Sequence, residues 1–206
     1  NVGATPLNAR VGDLDGDGRP DIACVNNGEN TLSILRNIGT AGDLTTNSFA
    51  PQVVLATGSN PHDLVIADLD GDGKPDLAQV NYVTASFLSV FRNTSVPGVI
   101  DTNSFAARVD FAASGMGDSI IAGDVDGDGK VDLVAGWAIG SAVAVYRNLA
   151  SPGSLDTNSF AAEVDFPAPG WVRGLAMGDL NGDGKPDISL VGEAGDFMSV
   201  YQNVST

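Results

Sequence analysis

"DLDGDGRPD" (13–21) recurs as DLDGDGKPD (68–76), DVDGDGKVD (124–132) and DLNGDGKPD (179–187). The four loops begin 55, 56 and 55 residues apart, and so even a step means one structural unit repeated in tandem. Two other markers keep the step. One is LRN (35–37), FRN (91–93), YRN (146–148) and YQN (201–203); the other is TNSFA at 46–50, 102–106 and 157–161. The extra residue of the second unit falls where NYVTASF stands against NNGENT, which marks a loop between fixed elements.

Each unit reads as four short strands, here A to D. In the second unit HDLVIADL enters the acidic loop and DLAQV leaves it. FLSVFRN follows, and SFAARVDF comes after a connection containing Pro, Gly and Asn. Apolar residues alternate or run in short blocks bounded by Gly, Asn and Pro, as strands do. No segment sustains a 3.6-residue period, which excludes a helical repeat, and β-solenoid repeats are usually shorter with fewer strands. Tandem four-stranded units of this length predict an all-β fold, a β-propeller of four tandem blades. Residues 1–206 then form a single propeller, with units at approximately 1–55, 56–111, 112–166 and 167–206. The fourth unit stops after strand C, so the last blade is expected to lack its outer strand and expose an edge. Either a larger propeller or a second copy would complete it.

With 43% hydrophobic residues the chain can bury a core. No apolar run approaches the ~18–20 residues of a membrane span. The opening NVGATPLNARVGD carries no charged-then-apolar signal segment, which predicts a mature or trimmed chain. The net charge of −16 repels phosphate, so nucleic acid and anionic membranes are poor partner candidates. Fifteen of the 26 acidic residues sit in the four loops, and one divalent cation per loop would halve the charge to −8. The lone Cys24, in the apolar run IACV, reads as a small buried hydrophobe.

Within each loop, carboxylates stand at positions 1, 3, 5 and 9, with Gly at 4 and 6. Odd spacing turns three side-chain oxygens toward one point, Gly at 6 permits the sharp turn, and the position-7 carbonyl can add an oxygen. EF-hand-type loops present hard oxygen ligands to Ca²⁺ in this way, and Mg²⁺ prefers a tighter octahedron. The Asp at position 9 is a natural direct ligand. Without a cation, two such charges about 4 Å apart cost roughly 4 kcal/mol at an effective dielectric near 20. These are not EF-hands: position 12 is Cys24, Gln79, Ala135 or Leu190, and the flanks are strands. The alternative, Asp-Gly turns that bind nothing, sits poorly with four intact copies. Asn181 offers a neutral oxygen, so the fourth site is expected to be the weakest.

The loop motif, its partner motif and the blade-length repeat resemble the FG-GAP/VCBS repeats of integrin-α-like propellers, over essentially the whole chain. The FG and GAP tripeptides are not intact, so the VCBS-type variant fits better. The resemblance implies Ca²⁺ in the A–B loop of each blade, up to four ions. Carried over by position, it implicates Asp13, Asp15, Asp17 and Asp21; Asp68, Asp70, Asp72 and Asp76; Asp124, Asp126, Asp128 and Asp132; and Asp179, Asn181, Asp183 and Asp187. The carbonyls of Arg19, Lys74, Lys130 and Lys185 fill the seventh position. Family propellers have about seven blades, which again implies a larger or an oligomeric ring.

Blade geometry puts the calcium loops on one face and the D–A and B–C loops on the other. The second face carries the variable segments ATPLN, GSNPH, GMGDS and GWVRG, then NNGEN, NYVTA, GWAIG and GEAGD. Trp137 and Trp171 fall there, and aromatic rings beside Asn and Asp suit sugar recognition. The simpler alternative is packing between blades. Arg36, Arg92 and Arg147 are expected to brace adjacent blades or the acidic loop, and Gln202 breaks that series. Asn93 and Asn203 begin glycosylation-type triplets. With His62 the only histidine and most carboxylates committed to metal, catalysis is not expected. The expectation is an extracellular, calcium-stabilised recognition or adhesion module with a glycan or protein ligand on the face away from the metal. An accessory propeller of a secreted polysaccharide-processing enzyme and a purely structural array are the alternatives.

Overall fold

The computed structural model describes residues 1–83 and 87–205. Residues 84–86, within the NYVTA segment and the NYVTASF insertion, lie outside the described residues. The chain is all-β, with no helix among the described residues, and folds into four antiparallel sheets. The first holds β1 (Pro6–Gly12), β2 (Asp21–Asn26), β3 (Thr31–Leu35) and β4 (Val53–Ala56). The second holds β5 (Pro61–Ala67), β6 (Asp76–Asn81), β7 (Phe87–Phe91) and β8 (Val109–Ala112). The third holds β9 (Met116–Gly123), β10 (Asp132–Ile139), β11 (Ala142–Tyr146) and β12 (Val164–Pro167). The fourth holds β13 (Trp171–Gly178), β14 (Asp187–Glu193) and β15 (Phe197–Tyr201). Strands run in sequence order across every sheet, so each unit is a simple meander.

Register places the acidic loops. The A–B hairpins close at Gly12↔Asp21, Ala67↔Asp76, Gly123↔Asp132 and Gly178↔Asp187. At the far end of the fourth hairpin, Trp171 pairs with Glu193. About seven residues at ~3.3 Å each separate the two ends of such a strand.

Stacking of the sheets buries the second and third strands of the first three sheets on both sides, while β15 of the fourth has no buried residue. Every residue of β6 is buried. Its alternation splits them: Leu77 joins a cluster with Leu14, Val25 and Ile34 of sheet 1, while Ala78 and Val80 join Ile120, Leu133 and Tyr146 of sheet 3. A third cluster joins Val134 and Val143 to Val172, Ile188 and Leu190. The first strands also pack in succession, β1 on β5, β5 on β9 and β9 on β13. Cys24 is buried, and burial pushes its thiol pKa up.

Candidate functional site

All four acidic loops fold alike, because the backbone serves the carboxylates before any ion does. The position-1 carboxylates accept from the N–H groups of Gly18, Gly73, Gly129 and Gly184 at 2.8–2.9 Å. The same side chains take the N–H of position 5 at 3.1–3.2 Å. For this the chain must turn through positive φ at positions 4 and 6, as at Gly16 (68°) and Gly18 (84°), where a Cβ would be strained. Position 5 accepts from the N–H of position 7 at 2.9–3.0 Å. The lysines at position 7 turn away, the Lys74 and Lys130 ammonium groups donating to the carbonyls of Ser95 and Ala150 at 2.8 and 2.9 Å, whereas Arg19 pairs with Asp17 of its own loop.

The Asp at position 9 ties the loop into the unit. Asp21, Asp76, Asp132 and Asp187 each accept from the N–H of position 2 at 2.9–3.0 Å. Their other oxygens accept from the N–H of Asn37, Asn93, Asn148 and Asn203 at 2.7–2.8 Å. Those asparagines are the last residues of the LRN, FRN, YRN and YQN motifs. Three of them reach into the preceding unit: Asn93, Asn148 and Asn203 donate to the carbonyls of Leu14, Leu69 and Val125, each at 2.7 Å. So each of the first three acidic loops is clamped by the next repeat. The role of this asparagine was not read from the sequence, although its constancy where Arg gives way to Gln202 was the available signal. The Asn93 amide is fully buried and doubly bonded, so a glycan attached there would break the clamp.

The motif arginines brace the acidic loop of their own unit. Arg36 bridges Asp15 and Asp17, and Arg92 bridges Asp70 (2.5 Å) and Asp72 (3.0 Å). Arg147 bridges Asp126 (2.5 Å) and Asp128 (3.3 Å). The fourth unit changes both partners: Asn181 replaces the carboxylate and Gln202 the guanidinium. Asn181 instead donates to Asp183 at 3.0 Å.

Ligand atoms of Asp13, Asp15 and Asp17 lie within 4.8 Å of one another. So do those of Asp68, Asp70 and Asp76, and those of Asp124, Asp126 and Asp132. Oxygens that share one Ca²⁺ at about 2.4 Å can be no more than about 4.8 Å apart, so the donor set fits a hard divalent ion in both chemistry and spacing. Burial, then the nearby charges of Asp70 and Asp72, push Asp76 up to about 7 against the pull of two backbone N–H donors. Burial likewise raises Asp21 and Asp132. In the exposed fourth loop, the N–H groups of Gly184 and Gly182 hold Asp179 below the usual carboxylate range.

The other end of the hairpins carries a belt of charge across successive first strands. Arg10 pairs with Asp63 at 2.7 Å, His62 with Asp118 at 2.6 Å, and Arg173 bridges Asp118 and Glu193. The hydrogen bond to Asp118 raises His62. Burial works against Asp118, but His62 and Arg173 outweigh it and hold its carboxyl low. Trp171 is at the surface, 39% exposed, with the Arg173 guanidinium 5.6 Å from its ring centroid. Trp137 has no exposed surface and sits in the cluster between sheets 2 and 3. A Cβ at Gly115 would lie 2.6 Å from that of Trp137, so the glycine makes room for the ring in the core. Of the two tryptophans, only Trp171 therefore faces solvent.

No curated protein matches the chain. A solved structure, that of the V. cholerae biofilm matrix protein Bap1, is similar to it with a TM-score of 0.43 and 21% sequence identity. The match covers 98% of this chain and 31% of that one, so the chain spans about a third of the length of Bap1. The family model for FG-GAP-like repeats matches residues 13–78 and 124–189, each from the first Asp of one acidic loop into the second strand of the next unit. Those spans make up more than half of the sequence, and the chain belongs to the FG-GAP-like repeat family.

Proposed function

We propose that each acidic loop holds one Ca²⁺, and that the four sheets are consecutive blades of a calcium-stabilised propeller acting outside the cell as a recognition or adhesion module. The observation that carries this reading is the three carboxylate triads, each with its ligand atoms within 4.8 Å. The ions are structural: in the first three units each would sit where one hairpin, its own motif Arg and the following repeat's Asn converge. The fourth loop, with Asn181 for Asp and no guanidinium beside it, binds most weakly. Extracellular modules work with millimolar calcium and modest site affinity, which suits loops this close to solvent. Among the described residues no helix is long and apolar enough to cross a membrane.

The ligand, a glycan or a protein, is met at the end of the sheets away from the loops. Trp171 there combines an exposed ring with Arg173, Glu193 and Asp118 within one hydrogen-bonded group. A ring stacks on the C–H face of a sugar while charged groups take its hydroxyls. The module binds rather than catalyses.

Isothermal titration of chelator-treated protein with Ca²⁺ tests the first part. Four ions per chain are expected, three tighter and one weaker, and Asp70→Asn should remove one tight site. Heat-free titration, or binding unchanged in that variant, would overturn it. A glycan array read with the wild type and Trp171→Ala tests the second: signal lost in the variant supports recognition. A blank array for both supports a spacer or an accessory unit instead.

A further inference from the structure

Two Asn–Gly steps occur in the chain, Asn27–Gly28 and Asn181–Gly182. At such a step an asparagine side chain is open to attack by its own backbone, because glycine puts no Cβ beside the nitrogen that follows. Asparagine is accordingly among the chemically labile residues. The structure makes the two steps unlike.

Asn27 is held in place. It is half-buried, and its amide nitrogen donates across the unit boundary to Asn60 Oδ1 and to Pro61 O (3.2 Å). The Gly28 N–H faces a main-chain carbonyl, Ala4 O at 3.1 Å, which is no base. A Cβ on Gly28 would lie 2.8 Å from Thr5 Oγ1, so the space around this glycine is filled.

Asn181 lies exposed in the fourth loop, at the position where Asp15, Asp70 and Asp126 stand in the other three. A Cβ on Gly182 would meet nothing within 4 Å. The Gly182 N–H points at Asp179 Oδ1, 2.7 Å away, so a carboxylate is in place to receive the proton when that nitrogen reacts. The Asn181 side-chain carbonyl accepts from the N–H of Asp183 at 2.9 Å, a donor that would stabilise negative charge growing on its oxygen. Its amide nitrogen bonds Asp183 Oδ2 of the same loop at 3.0 Å. Nucleophile, base and oxyanion donor thus surround one side chain.

We propose that Asn181 is a site of spontaneous deamidation, through which the chain converts its own fourth acidic loop. Gly182 N bonds to Asn181 Cγ, the Cγ–Nδ2 bond breaks, and ammonia leaves with the proton that Gly182 gave up. The resulting succinimide takes up one water. Opening at Cγ gives an aspartate at this position; opening at the main-chain carbonyl gives an isoaspartate, with one methylene more in the backbone. The aspartate product reads DLDGDGKPD, letter for letter the second loop (68–76). Its new carboxylate meets no motif arginine, because Gln202 stands where Arg36, Arg92 and Arg147 brace the others. It is left to take a cation, a consequence that rests on the calcium reading; the deamidation itself does not.

Peptide mapping by mass spectrometry, on the whole protein aged at neutral pH in chelator, tests it. The peptide holding Asn181 should gain the mass of amide-to-acid exchange on the order of tenfold faster than the peptide holding Asn27. Both acid isomers should appear, with ammonia released in step. Asn181→Gln should all but stop the conversion, and Asp179→Asn, which keeps an acceptor for Gly182 but no base, should slow it. An Asn181 peptide that stays intact, or that converts no faster than the Asn27 peptide, overturns the proposal. Calcium should slow the conversion, since an ion held through Asn181 Oδ1 would fix the side chain. Conversion equally fast with and without calcium supports the chemistry and counts against an ion in the fourth loop, so the two readings fail separately.

Discussion

Chelator-treated protein should melt well below the same protein in calcium. With Ca²⁺ about a hundredfold above its dissociation constant, one site that forms only in the fold contributes about 2.7 kcal/mol. A domain of this size moves by about 2–4 °C per kcal/mol, so a single site is worth about 5–10 °C and several sites more. Two terms act together. A bound ion would relieve the mutual repulsion of carboxylates whose ligand atoms lie within 4.8 Å, and it would join hairpins whose loops the next repeat already clamps. At a net charge of −16, general screening would also stabilise the fold, so sodium chloride of equal ionic strength is the control. Superimposable melts in calcium and chelator would remove calcium from the account of this fold.

Replacing Asn148 by alanine should cost about 3 kcal/mol or more and lower the melting temperature by about 6–12 °C. Asn148 is 1% exposed. Its amide donates to Leu69 O at 2.7 Å and Val131 O at 2.8 Å, and its carbonyl accepts from Ala150 at 2.8 Å. Alanine leaves those three main-chain groups buried without the amide, at about 1–3 kcal/mol for each group left unsatisfied. The same motif residue in the first unit is the internal control. Asn37 is half-buried, donating to Pro20 O and accepting from Gly39 N, both within its own unit. Asn37→Ala should therefore cost markedly less, measured by urea unfolding of the two variants side by side. Equal losses would mean that the link between units contributes nothing beyond the local turn.

Much of this molecule was legible in local pattern. The 55-residue step, the alternation within strands and the Gly-punctuated loops are properties of neighbouring residues, and they predicted sheets of four strands with a three-stranded last one. Loop carboxylates at odd spacing gathered as expected because main-chain N–H groups of the same loop hold them, a contact of two to five residues. The motif arginine was seen but left with two destinations. Its choice of the acidic loop depends on the register between β2 and β3, which pairs Ile22, just after the loop, with Leu35, the first residue of the motif.

What the sequence by itself determined is the repeat, its strand order and the oxygen-rich loop in each unit, all set by short-range spacing. Only the tertiary structure decided which asparagine ties one unit to the next, and which tryptophan is core and which is surface. Those depend on residues some 79 positions apart, as Asn93 and Leu14 are, and on the stacking of whole sheets.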